Sequence, residues 1–411
     1  MNRRQFLGGS LLSAAALALP AEERAKPKVR AITAFLALDR ARYQEQVQDT
    51  LKMLRQAKRT IEAGGYQVES IRIVTQPFPE YSRGLSRQEA LRFFGEYDAL
   101  AAKESFDGNI GPAMLGDGDD PARAELLGEI LSATKTLEGS LIMAGEDGIH
   151  WKCVTAAARL MKFVEEHSPG SAANFNFTAT ALLAPYGPFY PGAYHLGTGR
   201  RFAIGTEGAN VVDQVFGETG GNAPLATERL TRALSAHCTA IEKLARQIEK
   251  GTSWEYMGID PTPAPLREVS IGAAIEKFTG GKFGSSGTMT AAAAITKAVQ
   301  SVPVKRVGYC GLMVPVMEDS LLAQRWSEGT YDVDALLAYS AVCGTGLDTI
   351  PMAGDVTQQQ IERILGDVAT LAFKWKKPLS ARLLPVKGKQ VGDRTEFDDP
   401  FLVNAVIRAV R

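Results

Sequence analysis

Short apolar stretches alternate with longer amphipathic stretches along most of this 411-residue chain. Residues 28–37 form a continuous apolar run that suits a buried strand. Residues 42–63 follow with a helical repeat, whose apolar face collects Tyr43, Val47, Leu51, Leu54 and Ile61. Strands that alternate with helices in this way indicate an α/β domain rich in parallel strand pairing.

The same alternation predicts the other elements of the chain. Strands are predicted at residues 66–74, 140–144, 175–183, 305–312 and 379–386. Helices are predicted at residues 86–104, 121–137, 149–166, 224–249, 288–300, 333–342 and 356–374. Because no low-complexity linker or internal repeat divides the chain, residues 22–411 are predicted to form one α/β domain.

Composition excludes several classes of function. The chain carries 46 basic and 46 acidic residues, and no basic patch alternates with aromatic residues, so we expect no nucleic-acid partner. A hydrophobic fraction of 45% is enough for a large soluble core. The four cysteines are far apart in sequence, which argues against a CxxC zinc or redox motif: Cys153, Cys238, Cys310 and Cys343. Two of them could pair in an oxidising compartment, and the sequence does not decide which.

The N-terminal residues 1–21 have the pattern of a twin-arginine signal peptide. Arg3 and Arg4 precede a Phe-Leu pair and an apolar run at residues 11–19, and charged residues follow. The apolar run is shorter than the ~20 residues that a membrane span needs. We therefore expect the twin-arginine export machinery as a partner and a periplasmic or otherwise exported location. Cleavage after Ala18 and cleavage after Ala21 both fit the pattern.

A segment rich in aromatic residues, 189–195, leads into a short strand that ends at Glu207. Tyr194 is expected to contact a substrate, and His195 or Glu207 to act as a catalytic acid or base. A packed aromatic loop with a surface histidine would give the same pattern.

Asp260 follows a short extended piece and precedes a loop that is stiffened by prolines at residues 261–265. An aspartate at a strand end is a frequent metal or substrate ligand in α/β proteins. An aspartate before proline also commonly starts a turn, so both interpretations stay open.

The glycine- and serine-rich segment 281–288 runs directly into a predicted helix. Free N–H groups at a helix N-terminus bind anions, so Ser285, Ser286 and Thr288 are candidate substrate-binding residues. The segment lacks the Gly-Lys-Ser/Thr of a nucleotide-binding P-loop. Alternatively, Ser286 or Thr288 is only the N-cap of the helix.

The loop predicted at residues 341–355 combines three glycines with a cysteine, two threonines and two aspartates. Asp348 and Asp355 could bind a divalent cation or an amine together with Asp260, and Thr345 could contact a substrate. Cys343 is a candidate nucleophile, although a buried small residue at a helix end explains it as well. Asp355 could instead cap the helix predicted at 356–374.

Several long segments in this order together resemble one family, the domain-of-unknown-function family numbered 711. The resemblance extends from residues 29–36 to residues 379–386, and the segments that carry it are 189–195, 256–265, 283–288, 311–319 and 343–355. It implies a single large α/β barrel similar to that of the pyruvate formate-lyase-like glycyl radical enzymes, with the helices outside. The family's activity is unassigned.

The resemblance does not imply radical chemistry. Glycyl radical enzymes carry their glycine in an Arg-Val-x-Gly-Tyr context near the C-terminus, whereas residues 306–309 read Arg-Val-Gly-Tyr and lie elsewhere. The radical-transfer cysteine would at best correspond to Cys343, and its role is not carried over. We therefore expect no glycyl radical.

Two functions remain. The first is a non-radical enzyme of hydrolase or lyase type that acts on a small polar or anionic metabolite, with Arg382 holding an anionic group and a divalent cation as a possible cofactor. The second is an exported protein that binds a small, amino-acid-like ligand without turnover. A buried acid or histidine with a shifted pKa would favour the first. The oligomeric state, including a homo-oligomer, stays open.

Overall fold

The computed structural model describes residues 25–410, so the predicted signal segment lies outside the described residues. The strands are β1 (Lys28–Leu36), β2 (Val68–Thr75), β3 (Asp107–Pro112), β4 (Leu137–Gly145), β5 (Gly148–Ile149), β6 (Phe177–Ala181), β7 (Arg200–Glu207), β8 (Glu255–Asp260), β9 (Gly346–Ala353) and β10 (Leu379–Val386). The helices are α1 (Tyr43–Ala63), α2 (Phe78–Tyr81), α3 (Arg87–Glu104), α4 (Ala122–Ala133), α5 (Trp151–His167), α6 (Ala209–Thr219), α7 (Ala223–Gly251), α8 (Ile271–Thr279), α9 (Thr288–Gln300), α10 (Ser320–Glu328), α11 (Val333–Ser340) and α12 (Gln358–Trp375).

All ten strands belong to one sheet. Nine of them follow the order β8-β7-β1-β2-β3-β4-β6-β10-β9, and β5 pairs with β4 as a short hairpin. Strands β1, β2, β3, β4 and β6 are parallel to one another, as are β7 with β8 and β9 with β10. The pairs β1·β7 and β6·β10 are antiparallel and join these parallel groups.

The segment 303–318 spans the space between the two end strands, β8 and β9. Single parallel bridges join Arg306 to Ile259 of β8 and Pro315 to Asp348 of β9. The sheet therefore closes on itself through residues 303–318, which we call the closing segment. The predicted α/β barrel is confirmed.

Strand alternation separates an outer face from an inner face. On β1, Ile32 and Leu36 pack in the main hydrophobic core with apolar residues of the helices, so the helices cover the outside. Phe35 points the other way and belongs to a separate cluster with Ala193 and Ala203. Among residues 25–410, no helix is both long and apolar enough to cross a membrane.

The loop 183–199 lies against the inner face of the barrel. Thr33 of β1 donates a hydrogen bond to the Pro188 carbonyl at 3.0 Å, and Asn109 of β3 donates to the Pro191 carbonyl at 2.7 Å. Tyr190 donates in turn to the carbonyl of Ile73 of β2 at 2.9 Å. Polar side chains of β1 and β3 and a backbone carbonyl of β2 thus hold the loop inside the barrel.

Two predicted elements are wrong, and both concern the closing segment and its neighbour. Residues 305–312 do not form a strand, because the amides of Tyr309 and Cys310 donate to the Asp260 carboxylate and not to a strand partner. Residues 346–353, predicted to be a loop, form the buried strand β9. Glycine, threonine and proline gave this strand the composition of a turn.

Other elements were not predicted at all. Strand β3, with the sequence Asp-Gly-Asn-Ile-Gly-Pro, lacks an apolar pattern, and α6, α8 and α10 are short helices of 9 to 11 residues. Helix α4 ends at Ala133, earlier than predicted, and the strand predicted to begin at residue 140 begins at Leu137.

We expect Gly311→Ala to destabilise the protein by about 2 kcal/mol, because a side chain there would overpack the contact between the closing segment and Gly344. A Cβ atom at residue 311 would lie 2.6 Å from the Cα of Gly344. Gly95→Ala, on the exposed face of α3 with open space around it, is the control and should stabilise by about 0.5–1 kcal/mol. Urea unfolding measures both, and equal midpoints for the two variants would contradict close packing at the closing segment.

Candidate functional site

A chain of seven charged side chains crosses the interior of the barrel at one end. We call it the interior ion cluster, and its members are Lys28, Arg30, Glu69, Glu207, Glu318, Asp348 and Arg382. They come from β1, β2, β7, β9, β10 and the closing segment. Arg30, Glu207, Glu318, Asp348 and Arg382 each expose less than a tenth of their surface. Ion pairs within the cluster therefore connect opposite sides of the barrel.

On the first side of the cluster, Arg30 lies between two carboxylates. Its guanidinium is 3.1 Å from Glu207 and 3.2 Å from Glu69. Lys28 contacts the same two acids, at 2.8 Å from Glu69 and 3.7 Å from Glu207. Two cations and two anions thus share this half of the cluster.

Glu318 connects the two sides of the cluster across the barrel. One of its carboxylate oxygens is 3.7 Å from Arg30, and the other contacts Arg382. Arg382 in turn donates from Nε to Asp348 at 2.7 Å, and its guanidinium lies 4.7 Å from the centre of the Phe175 ring. The path from β1 to β9 is therefore continuous.

Both arginines lie at irregularities of the sheet. The register of β1 against β7 shifts between Val29 and Ala31, on either side of Arg30. The register of β10 against β9 shifts between Ala381 and Leu383, on either side of Arg382. A β-bulge changes the direction of a side chain, and bulges are common next to active sites.

Burial and neighbouring charges shift the pKa values in the cluster. Burial raises the pKa of Glu207 to about 8, and a hydrogen bond shared with Glu69 adds to the shift. For Glu69, burial is outweighed by the hydrogen bonds to Glu207 and Lys28, so its pKa is lowered. Near neutral pH the two acids therefore hold one proton between them, mostly on Glu207.

A second group of polar residues lines the interior beside the cluster, on β2, β3 and β4. Arg72 lies 3.4 Å from Asp107, and its guanidinium stacks 4.5 Å from the centre of the Tyr190 ring. Burial raises the pKa of Glu138 to about 8, and the Arg72 and Arg382 guanidinium groups only partly offset this. Two carboxyls with pKa values near 8 thus face the interior at the same end of the barrel.

The structure brings together three of the residues predicted from the sequence: Glu207, Asp348 and Arg382. Asp348 and Arg382 neutralise each other, so Arg382 has little charge left for an anionic ligand. Burial raises the pKa of Asp348, and the Arg382 charge acts against this shift.

Asp260 has a different environment from the one expected of a metal ligand. Its carboxylate accepts hydrogen bonds from the Tyr309 amide at 2.8 Å, the Cys310 amide at 3.1 Å and the Thr262 amide and hydroxyl at 3.0 and 2.6 Å. Burial still raises its pKa to about 6, against these bonds. Its observed contacts hold the closing segment in place.

His195 lies at the opposite end of the barrel from Glu207. Its amide donates to the carbonyl of Thr75, at the end of β2, whereas Glu207 pairs with Lys28 at the start of β1. The length of β1 separates the two by roughly 25 Å. His195 is fully buried, not at the surface, and burial lowers its pKa to about 4. The two residues therefore cannot act on one substrate group.

Three further predicted residues are buried but do not contact the ion cluster. The Tyr194 hydroxyl donates to the Leu183 carbonyl at 3.0 Å, within its own loop. Cys343 packs in the main hydrophobic core, and its carbonyl accepts a hydrogen bond from Lys377. Thr345 is buried directly before β9, and its hydroxyl has no hydrogen-bond partner in residues 25–410. All four cysteines are free.

The predicted anion and metal sets are not assembled. Ser285 and Ser286 are exposed, and the N-cap of α9 is Gly287 without a side-chain cap. The Thr288 hydroxyl accepts from the Gly284 amide instead. Asp355 is exposed, and the N-cap of α12 is Thr357. Over the described part of the chain, no three acid, histidine or cysteine side chains are placed to hold a metal ion.

The sequence interpretation missed most members of the site. Arg30, Glu69, Glu138 and Glu318 all lie in or beside strands whose apolar pattern dominated the interpretation. A single charge within an apolar strand, such as Arg30 after Val29 or Arg382 after Ala381, is the signal that marks an interior ionic site.

A family model described as Uncharacterised ACR (DUF711) matches residues 22–398. Similar proteins include a UPF0210 protein of Pyrobaculum arsenaticum, 29% identical over 84% of this chain and 80% of the relative. The UPF0210 protein of Pyrobaculum aerophilum is 34% identical over 67% of this chain and 62% of the relative. A UPF0210 protein of Neisseria meningitidis serogroup C is 28% identical over 73% and 69%.

Solved structures with a similar fold include the anaerobic ribonucleotide reductase from Thermotoga maritima in complex with dATP and CTP. It is 8% identical, with a TM-score of 0.41 and coverage of 86% of this chain and 75% of that chain. A second structure, titled anaerobic ribonucleotide reductase, is 9% identical, with a TM-score of 0.39 and coverage of 92% and 76%. At these identities the likeness concerns the fold alone.

The raised pKa of Glu138 predicts a specific dependence of stability on pH. Glu138 is protonated in the folded protein up to about pH 8 but ionises near 4.5 when unfolded. Its contribution is therefore fully present below pH 4.5 and is lost as the pH rises through 8. Relative to Glu138→Gln, the wild type should lose on the order of 4 kcal/mol of unfolding free energy between pH 5 and pH 9.

Urea unfolding at four or five pH values measures this difference. Glu146→Gln, in the exposed turn after the same strand, is the matched control. If Glu138→Gln and Glu146→Gln follow the wild type in parallel over the whole range, the folded protein does not hold a proton on Glu138.

Proposed function

The chain belongs to the Uncharacterised ACR (DUF711) family, and from its own geometry we propose that it is a non-radical enzyme of hydrolase or lyase type. The substrate is a small polar metabolite that binds inside the barrel, at the end that holds the interior ion cluster. Glu207 gives or takes the proton. The family name assigns no activity, so the proposal rests on the residues of this chain.

The observation that carries the proposal is the pair Glu207 and Glu69. Two carboxyls in contact with shared cations, one with a pKa near 8 and one with a lowered pKa, form an acid–base pair that is active near neutral pH. Hydrolysis and elimination both need such a proton carrier. A protein that only holds a ligand has no need for one, so this pair favours turnover over binding alone.

The other members of the cluster support the same function. Replacing buried ion pairs by apolar residues is often neutral or stabilising, so stability alone is a poor reason to keep five charged side chains buried in the interior. Arg30 lies next to Glu207 and would stabilise negative charge that develops as the proton moves. Lys28, whose side chain is 37% exposed, connects this end of the cluster to solvent.

The geometry favours a polar substrate over a strongly anionic one. Each guanidinium in the interior already contacts a carboxylate: Arg30 with Glu207, Arg72 with Asp107 and Arg382 with Asp348. A free anion would have to compete with these carboxylates for the same donors.

We also propose that the protein is exported by the twin-arginine route. The support is the pattern of Arg3, Arg4 and the apolar run at residues 11–19. This route carries folded proteins.

Glu207→Gln should slow turnover by at least 100-fold, because the variant cannot exchange a proton. The assay incubates purified protein with pooled polar metabolites and follows their conversion by mass spectrometry. Glu255→Gln, an exposed acid on β8, is the control and should keep the wild-type rate. Metabolites that raise the melting temperature but stay unconverted would instead establish a binding protein, and the absence of both effects would contradict both functions.

Replacing Arg3 and Arg4 together by lysine should abolish export of a reporter fused after residue 24, since paired arginines define this route. Fractionation of cells that express the wild-type and variant fusions measures the exported share. Arg24→Lys is the control, because Arg24 lies after the apolar run and its replacement should leave export unchanged. Equal export of all fusions would exclude the twin-arginine route.

A further inference from the structure

Glu138 is the one acid of the two interior groups that has no ion pair in residues 25–410. Asp107 lies 3.4 Å from Arg72, and the acids of the ion cluster all contact Lys28, Arg30 or Arg382. Glu138 also makes no side-chain hydrogen bond within the described chain, although four charged groups lie close enough to influence its ionisation. Arg72 and Arg382 lower its pKa, whereas Asp107 and Glu318 raise it, so these charges act in opposite directions.

Ser140 lies two residues further along β4 and shares the inward face with Glu138. Leu137 and Leu141 pack in the outer core, and a Cβ at Gly139 would contact Leu127 of α4, so residues 138 and 140 point inward. Ser140 is fully buried, and its hydroxyl has no partner in the part of the chain that the structure describes. An unsatisfied buried hydroxyl costs about 1–3 kcal/mol, so a partner from outside the chain would relieve this cost.

Glu138 of this pair is in contact with solvent. Glu138 keeps part of its surface accessible, and the Asp107 side chain beside it is 47% exposed. Arg72, which pairs with Asp107, also stacks on Tyr190, and Tyr190 is held by its hydrogen bond to the Ile73 carbonyl. A small ligand can therefore reach Glu138 from solvent on the side of Asp107.

We propose that Glu138 and Ser140 bind the protonated amino group of the ligand. A carboxylate without a counter-ion and a hydroxyl without a partner are acceptors that an alkylammonium group satisfies through its three N–H donors. The inference rests on the proposed function for the position of the ligand in the interior, and it names the substrate class as amines and amino-acid-like molecules. When Glu138 is protonated beforehand, its proton passes to solvent as the ammonium binds.

Binding of methylammonium to the full-length folded protein tests the inference without knowledge of the true substrate. Calorimetric titration at pH 9 should show saturable binding that weakens by about tenfold for each pH unit below 8, because the ligand then competes with a proton. Methylammonium itself stays protonated over this range, as a lysine side chain does. Acetate and methanol, which are anionic and neutral probes of similar size, should not bind.

Variants of the two residues separate their roles. Glu138→Gln should weaken methylammonium binding by at least tenfold, Ser140→Ala by a smaller factor, and Glu146→Gln not at all. Glu138→Asp keeps the charge and should retain part of the affinity, because binding depends on the carboxylate. Circular dichroism confirms that each variant is folded.

Three outcomes would overturn the inference: no saturable binding at pH 9, equal binding by the wild type and Glu138→Gln, or tighter binding of acetate than of methylammonium. This test is independent of the proposed enzymatic activity. Failure of turnover with intact methylammonium binding leaves an amine site in a binding protein, whereas turnover without methylammonium binding leaves an enzyme whose substrate is not an amine.

Discussion

The barrel depends on one buried carboxylate, that of Asp260. The end strands β8 and β9 are joined only through the irregular segment 303–318, which makes a single bridge to each of them. Asp260 fixes this segment by accepting the amides of Tyr309 and Cys310, so a side chain takes the place of the strand ladder that joins neighbours elsewhere. Without this connection the sheet would have two free edges, and the closing segment that carries Glu318 would not be held opposite Arg30 and Arg382.

The position of Glu318 then determines the interior. It is the only member of the ion cluster that contacts both arginines, and the two arginines lie on opposite sides of the barrel. The segment that closes the sheet therefore also places the residue that connects the two arginines of the ion cluster. The β-bulges at Arg30 and Arg382 also help to assemble the ion cluster. Each bulge turns an arginine side chain into the barrel although neighbouring residues of the strand pack outward.

The sequence predicted the parts of the molecule that follow from local pattern. Helix α1 and strand β1 were predicted almost to the residue, because their apolar side chains pack on the outer face with the expected periods. Strand β9 was missed because its inward position carries Asp348, and a strand that lines an ionic interior does not show an apolar pattern on that face. Glu207, Asp348 and Arg382 were identified as site residues, but their partners depend on pairing between distant strands. Asp260, His195 and Asp355 were grouped with them by residue type, and only the fold separates them.

The depth of the interior ion cluster also changes how the protein responds to its surroundings. Dissolved ions screen charges at a protein surface within about 10 Å at 0.1 M salt, but they enter a closed barrel poorly. Arg30, Glu207, Glu318, Asp348 and Arg382, all less than a tenth exposed, are shielded from that screening. The electric field inside the barrel should thus stay nearly constant when the ionic strength outside varies.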